Sequence, residues 1–172
     1  MFWEIKRFFQ KIKDLPYQIK HGIKNLIIWF PVIWKDRWWD HWFLYVVLRH
    51  KLHLMEKNIR KYGHHVRHIE DADKIKKCVL LLDRLIKDDY HEIVYKYHDK
   101  KWGDGDFIFT DSTQYPDCVK LDIKYENVKT KEDEKLQSKE YRLLMNKPEE
   151  LKKQDLDLLF KLMRKHIQGW WD

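Results

Sequence analysis

The sequence predicts a mainly α-helical single domain with one small β-hairpin at about residues 106–125. Two patterns predict this fold class. Most of the chain repeats its apolar residues at offsets of three and four, as helices do, and one short stretch alternates apolar and charged residues, as strands do. A chain of 172 residues, 44% hydrophobic and 37% charged, can bury a core, which excludes gross disorder. The predicted domain spans residues 1–172.

Three helices are predicted in the first third of the chain. Residues 2–14 carry an apolar stripe at helical spacing, and Pro16 suits the first turn of a second helix. Pro31 ends or kinks that second helix, because proline lacks the backbone donor that a helix interior needs. Asp36 is the predicted N-cap of a long third helix that Gly63 ends.

Beyond residue 63 the pattern predicts a helix interrupted near Asp88, then a hairpin, then two more helices. The strict alternation in Val119–Tyr125 is a strand signal, and Phe107-Ile108-Phe109 is its predicted partner. The helical segments are residues 66–99, residues 131–145 and the stretch that Pro148 opens.

Charge divides the chain unevenly. Residues 1–62 form a basic, aromatic-rich helical segment with 13 lysines and arginines against 5 acidic residues, a balance of +8. Residues 63–172, the near-neutral helices plus the hairpin, hold 22 against 23, a balance of −1. Fourteen of the 26 aromatic residues lie in the first segment. This composition is typical of a protein with an anionic partner, although amphipathic helices with solvated lysines share it.

Several classes of function are disfavoured by missing motifs. Cys78 and Cys118 fit neither a disulfide framework nor a metal-ligand spacing. No secretory leader and no run of about 20 apolar residues is present, which predicts an intracellular chain without a transmembrane segment. The sequence also lacks a serine nucleophile elbow and a phosphate-binding glycine loop. We therefore predict no enzyme, no catalytic residue, no metal and no cofactor.

The candidate ligand-binding residues lie on the third predicted helix. Arginine, lysine and histidine side chains recur along one side of its C-terminal half, where they can donate to phosphate oxygens. Two aromatic rings near its start can stack a base. The candidates are Trp39, Phe43, Arg49, His50, His53, Lys57, Arg60 and His64. A solvated basic helix face is the alternative for each of them. The loop at residues 102–117 is a second candidate, with an ordinary hairpin connection as its alternative.

Four stretches together carry a resemblance. They are Phe30-Pro31-Val32-Ile33-Trp34-Lys35-Asp36-Arg37, Gly63-His64-His65-Val66, Tyr125-Glu126-Asn127-Val128-Lys129-Thr130, and the tail from Gln154-Asp155-Leu156-Asp157 through His166-Ile167-Gln168-Gly169-Trp170-Trp171-Asp172. The chain resembles a group of small proteins of tailed bacteriophages to which no activity is assigned. The resemblance implies a phage accessory protein in the host bacterial cytoplasm, and it carries over no functional residue.

The main hypothesis is an anti-defence sponge. Such a protein would bind and sequester a small phosphorylated ligand, such as a cyclic nucleotide signal, without catalysis and as a homo-oligomer. Nucleic acid bound by the same face is one alternative, and it predicts affinity that falls steeply with salt. A module that contacts a host protein or a membrane surface through the basic, aromatic Phe2–Lys13 segment is the other alternative.

Overall fold

The computed structural model describes residues 2–112, 115 and 117–170, with side chains from Asp14 onward. Over these ranges the chain is mainly α-helical with one two-stranded antiparallel hairpin, which confirms the predicted fold class. The elements are α1 (Phe2–Ile33), α2 (Trp42–Tyr62), α3 (His68–Lys87), α4 (Tyr90–Trp102), β1 (Gly105–Asp111), β2 (Val119–Tyr125), α5 (Lys131–Leu144), α6 (Lys147–His166) and a 3₁₀ turn (Ile167–Gly169).

The chain forms two compact units, and the division lies inside α3, between Val79 and Leu80. The compositional boundary at residues 62 and 63 comes earlier, before α3 begins. The prediction of one domain stays a prediction. The core of the first unit includes Leu52 and Ile59 of α2, with Ala72, Ile75 and Cys78 of α3. The core of the second unit includes Leu82, Leu85, Tyr90, Trp102, Leu159 and Trp170.

The first helix differs from the prediction. Residues 2–33 form one helix with Pro16 and Pro31 inside it, so the predicted break at Pro16 is wrong. A proline costs a helix interior about 3 kcal/mol, but the apolar spacing is the same on both sides of Pro16 and keeps the helix continuous. The predicted N-cap Asp36 is also wrong. The next helix begins at Trp42, whose backbone N–H donates to Asp40 Oδ1 at 2.9 Å.

The ends of the later helices follow the sequence signals. Gly63 ends α2. A Cβ at this position would lie 2.5 Å from the carbonyl oxygen of Ile59, so glycine, which has no Cβ, fits here. The expected interruption lies between α3 and α4, where Asp88 adopts a φ of 51°. A capping box begins α5: the Thr130 hydroxyl accepts from Asp133 N–H at 3.1 Å, and Asp133 Oδ2 accepts from Thr130 N–H at 3.0 Å.

The hairpin is the predicted one. Its register pairs Gly105 with Tyr125 and Phe109 with Leu121, so Phe107–Phe109 is the partner strand. Among the described residues, every helix is too short or too polar to span a membrane.

Candidate binding sites

The eight candidate residues lie along α2, in the turn before it and, for His64, just beyond its end. Trp39 is exposed and Phe43 is half-buried. The His50 ring packs edge-on against Trp29 of α1, with centroids 4.9 Å apart, so it contributes to helix packing. His53 is half-buried and Lys57 is exposed. None of the eight lines either cavity described below.

The positive charge of Arg60 is already balanced by two carboxylates. Its guanidinium donates to Glu56 on the same helix and to Asp73 Oδ1 on α3 at 2.8 Å. These hydrogen bonds, first to Asp73 and then to Glu56, raise the pKa of Arg60, and the same contact lowers the pKa of Asp73. Arg49 and His64 also have partners of their own. A ligand phosphate would therefore compete with existing contacts for Arg60.

Four cations that form no ion pair among the described residues lie together on α5. Lys131, Lys135 and Lys139 follow each other at steps of four, and Arg142 comes three residues later, so all four project from one side of the helix. We call them the α5 cationic face. They line a cavity of about 680 Å³, and within the described part of the chain none of them forms an ion pair. The rest of the described lining is Glu134, Ser138 and Leu143.

This cavity is suited to anions. Its volume lies in the range of small-molecule sites. Lysine and arginine side chains donate charge-assisted hydrogen bonds to phosphate oxygens, and the Ser138 hydroxyl adds a donor. The four cations extend over twelve residues, about 16 Å along the helix axis, which exceeds the length that one phosphate group covers. The geometry is suited to a ligand with more than one phosphate. The sequence analysis does not predict this face, although Lys131, Lys135 and Lys139 are spaced four residues apart in the sequence.

A second cavity of about 320 Å³ lies beside the buried His98 of α4. Gln137 Nε2 lies 3.3 Å from His98 Nε2, and Asp99 Oδ1 lies 3.3 Å from Nδ1. The amide can donate to Nε2 while the proton on Nδ1 points to the carboxylate, so both ring nitrogens are satisfied. Three tyrosine rings surround the imidazole at centroid distances of 5.2–6.0 Å: Tyr95, Tyr125 and Tyr141. Burial raises the pKa of Tyr95 and Tyr125.

The His98 cluster therefore holds α4, β2 and α5 together. A histidine with both nitrogens bonded and aromatic rings around it has no free atom to offer a substrate. In the described residues, no group of three or more His, Cys, Asp or Glu side chains is placed to hold a metal ion. The loop candidate at residues 102–117 includes Thr113, Gln114 and Pro116, which lie outside the described residues.

No protein family, curated protein or solved structure matches this chain.

Proposed function

We propose that the protein binds a small ligand with two or more phosphate groups, without catalysis, through the α5 cationic face. The observation that carries the proposal is that four cations of α5 line one side of a cavity and form no ion pair among the described residues, while Glu134 is the one acid in the described lining. The absence of catalytic motifs from the sequence supports binding rather than catalysis. The resemblance to phage proteins supports a role in the host cytoplasm, where the protein would sequester a cyclic nucleotide signal.

The proposal moves the site from α2 to α5. On α2 the predicted arginine Arg60 is held by two carboxylates, whereas on α5 the cations are available. The described lining of the α5 cavity contains no aromatic ring, so the contacts that it offers are to phosphates rather than to a base. Self-association and the α2 residues as ligand contacts remain predictions.

The experiment compares two triple variants that lose the same charge. K131Q/K135Q/K139Q removes three cations of the α5 cationic face, and K96Q/K153Q/K161Q removes three exposed lysines of the same unit that lie outside the cavity. Binding is measured by calorimetry with tripolyphosphate, a cyclic dinucleotide and a cyclic trinucleotide. Exposed ion pairs contribute about 0.2–1 kcal/mol each, so three of them correspond to a weakening of about tenfold in Kd for the first variant.

The control triple is expected to bind as the wild type does. Equal weakening in both triples would show that only net charge matters and would overturn the site. Failure of every probe to bind the wild-type chain would overturn the function. Binding of duplex DNA with a steep salt dependence, while the small probes fail, would replace the small ligand by nucleic acid.

A further inference from the structure

Helix α1 carries an exposed apolar surface away from α2. Ile28, Trp29 and Val32 are half-buried, and the Trp29–His50 ring contact marks the side that packs on α2. Another side of the same helix, together with Trp34 directly after its end, holds eight large apolar residues, each 49–71% exposed. We call these residues the α1 apolar stripe: Leu15, Ile19, Ile23, Leu26, Ile27, Phe30, Ile33 and Trp34.

The stripe is long and ends in tryptophans. From Leu15 to Trp34 it runs for about 28 Å along the helix axis. Trp38 and Trp39, in the turn that follows α1, are 89% and 69% exposed. Soluble monomers rarely expose a contiguous apolar patch of more than a few hundred Å². A surface of this length therefore calls for a partner that covers it.

The residues around the stripe are cationic. Between residues 15 and 39 there are four lysines and arginines against one acid, Asp36, a balance of +3. Within the described residues, Lys20, Lys24, Lys35 and Arg37 form no ion pair with an acid; Arg37 donates to the backbone carbonyl of Asp36 at 3.1 Å. Lys20 and Lys24 are one helical turn apart, and Lys20 lies two turns from Ile27, at an edge of the stripe.

We propose that the α1 apolar stripe docks the protein on an anionic membrane surface, with α1 lying in the plane of the interface. Helices that bind in this way combine an apolar face that contains tryptophan, phenylalanine and leucine with lysines and arginines on the polar side. The indoles of Trp34, Trp38 and Trp39 are amphipathic rings of the kind that concentrate at membrane–water interfaces. The cations attract anionic lipid headgroups.

A second copy of the chain fits the stripe less well. Coiled-coil helices bury two positions in seven, whereas the stripe uses eight positions in twenty, which makes it wider. Pro16 and Pro31, inside α1, each lack the backbone N–H that the regular helix of a coiled coil uses. A second α1 would also bring six lysines and arginines against two acids, Glu4 and Asp14. A lipid surface does not have these restrictions, because lipids can cover a wide apolar face and do not require a regular helix.

Flotation of the full chain with vesicles tests the proposal. Vesicles of phosphatidylcholine alone are compared with vesicles of equal parts phosphatidylcholine and phosphatidylglycerol. We expect the wild-type chain to float with the anionic vesicles and to partition at least about tenfold more weakly into the neutral ones, since each cation near the surface adds to the attraction.

Two variants of equal charge isolate the stripe. Ile23→Asp places a carboxylate within it, and Asn25→Asp adds the same charge two residues further along, outside the stripe, at an exposed position. We expect Ile23→Asp to partition about tenfold more weakly than Asn25→Asp, because it also loses an isoleucine that the bound state would bury in lipid. Circular dichroism is expected to be unchanged in both, since neither wild-type side chain is buried.

The other outcomes overturn the proposal. Equal flotation of the two variants would show that the stripe does not touch lipid. If neither variant nor wild type floats, and ultracentrifugation finds a dimer that Ile23→Asp dissociates, a second copy covers the stripe. If K131Q/K135Q/K139Q abolishes flotation, the lipid phosphates bind at α5 instead. Retained flotation by that triple supports docking through α1 whether or not α5 binds a phosphorylated ligand.

Discussion

Replacing Tyr90 by phenylalanine tests how the second unit stabilises a buried carboxylate. Tyr90 Oη donates to Asp155 Oδ2 at 2.6 Å, and Arg84 Nε lies 3.1 Å from the same oxygen. Tyr90 is 2% exposed and Asp155 is 6% exposed, so the carboxylate depends on these two donors rather than on bulk water. Tyr90→Phe keeps the ring in place and removes only the hydroxyl donor.

The expected loss follows from that geometry. A hydrogen bond to a charged group contributes about 1.5–3 kcal/mol. Arg84 stays beside Asp155 and its side chain is half exposed, so it can partly compensate, and we expect a loss of about 2 kcal/mol in the free energy of unfolding. For a chain of this size each kcal/mol lowers Tm by about 2–4 °C, so Tyr90→Phe is expected to melt about 4–8 °C lower.

The pH dependence gives a second measurement of the same bond. Burial, and then the hydrogen bond to Asp155, raise the pKa of Tyr90 above its ordinary value of 10.0. The neutral hydroxyl is therefore favoured in the folded state. Its contribution to stability is fully present below pH 10 and is lost as the pH rises through the folded pKa. We expect the stability of the wild type to fall above pH 10 more steeply than that of Tyr90→Phe.

Urea unfolding of Tyr90→Phe, of Asp155→Asn and of the double variant completes the test. If the hydroxyl acts through the carboxylate, Tyr90→Phe costs less when Asp155 is already Asn. The same loss in both backgrounds, or a loss below about 0.5 kcal/mol in the wild type, would refute the reasoning.

Two further predictions concern other buried groups. Glu140→Gln retains an acceptor for the buried Trp102 indole, which donates to Glu140 Oε2 at 2.7 Å, so it is expected to be more stable than Glu140→Ala by about 1 kcal/mol in urea unfolding; equal stabilities would contradict this. A maleimide at mildly alkaline pH is expected to label the exposed Cys118 of the folded chain and to spare Cys78, because burial raises the pKa of the Cys78 thiol to about 11; labelling of both at one rate would exclude that protection.

Local patterns were sufficient for most of the fold. The alternation in Val119–Tyr125 predicted its strand, and Pro148 marked the first turn of α6. Prediction failed at Pro16, where a residue that disfavours helix locally lies between two helical segments with one continuous apolar spacing. It failed again at Asp36, because the helix begins six residues later, at Trp42, where the side chain of Asp40 accepts from the first backbone N–H.

The candidate site was harder to predict than the fold, because a cation's role depends on partners that are distant in sequence. Arg60 looked available for a phosphate in the sequence. Its partner Asp73 lies thirteen residues away, on the next helix, and no spacing rule within α2 predicts that contact. The half-buried His50 likewise meets Trp29 of α1, which the analysis of a single helix face could not show.

The near-zero charge balance of residues 63–172 concealed the α5 cationic face for a related reason. A balance counts every acid as if it were available to every cation. On α5, Asp133 is used by the capping box with Thr130, and Glu140 accepts from Lys101 and from the Trp102 indole. These contacts lower the pKa of the Asp133 and Glu140 carboxyls and keep both ionised. The charge of Asp133, however, lies at the start of α5, and that of Glu140 faces its partners on α4. The described lining of the cavity therefore holds four cations against one acid, Glu134, so the local field is positive although the sum over the segment is near zero.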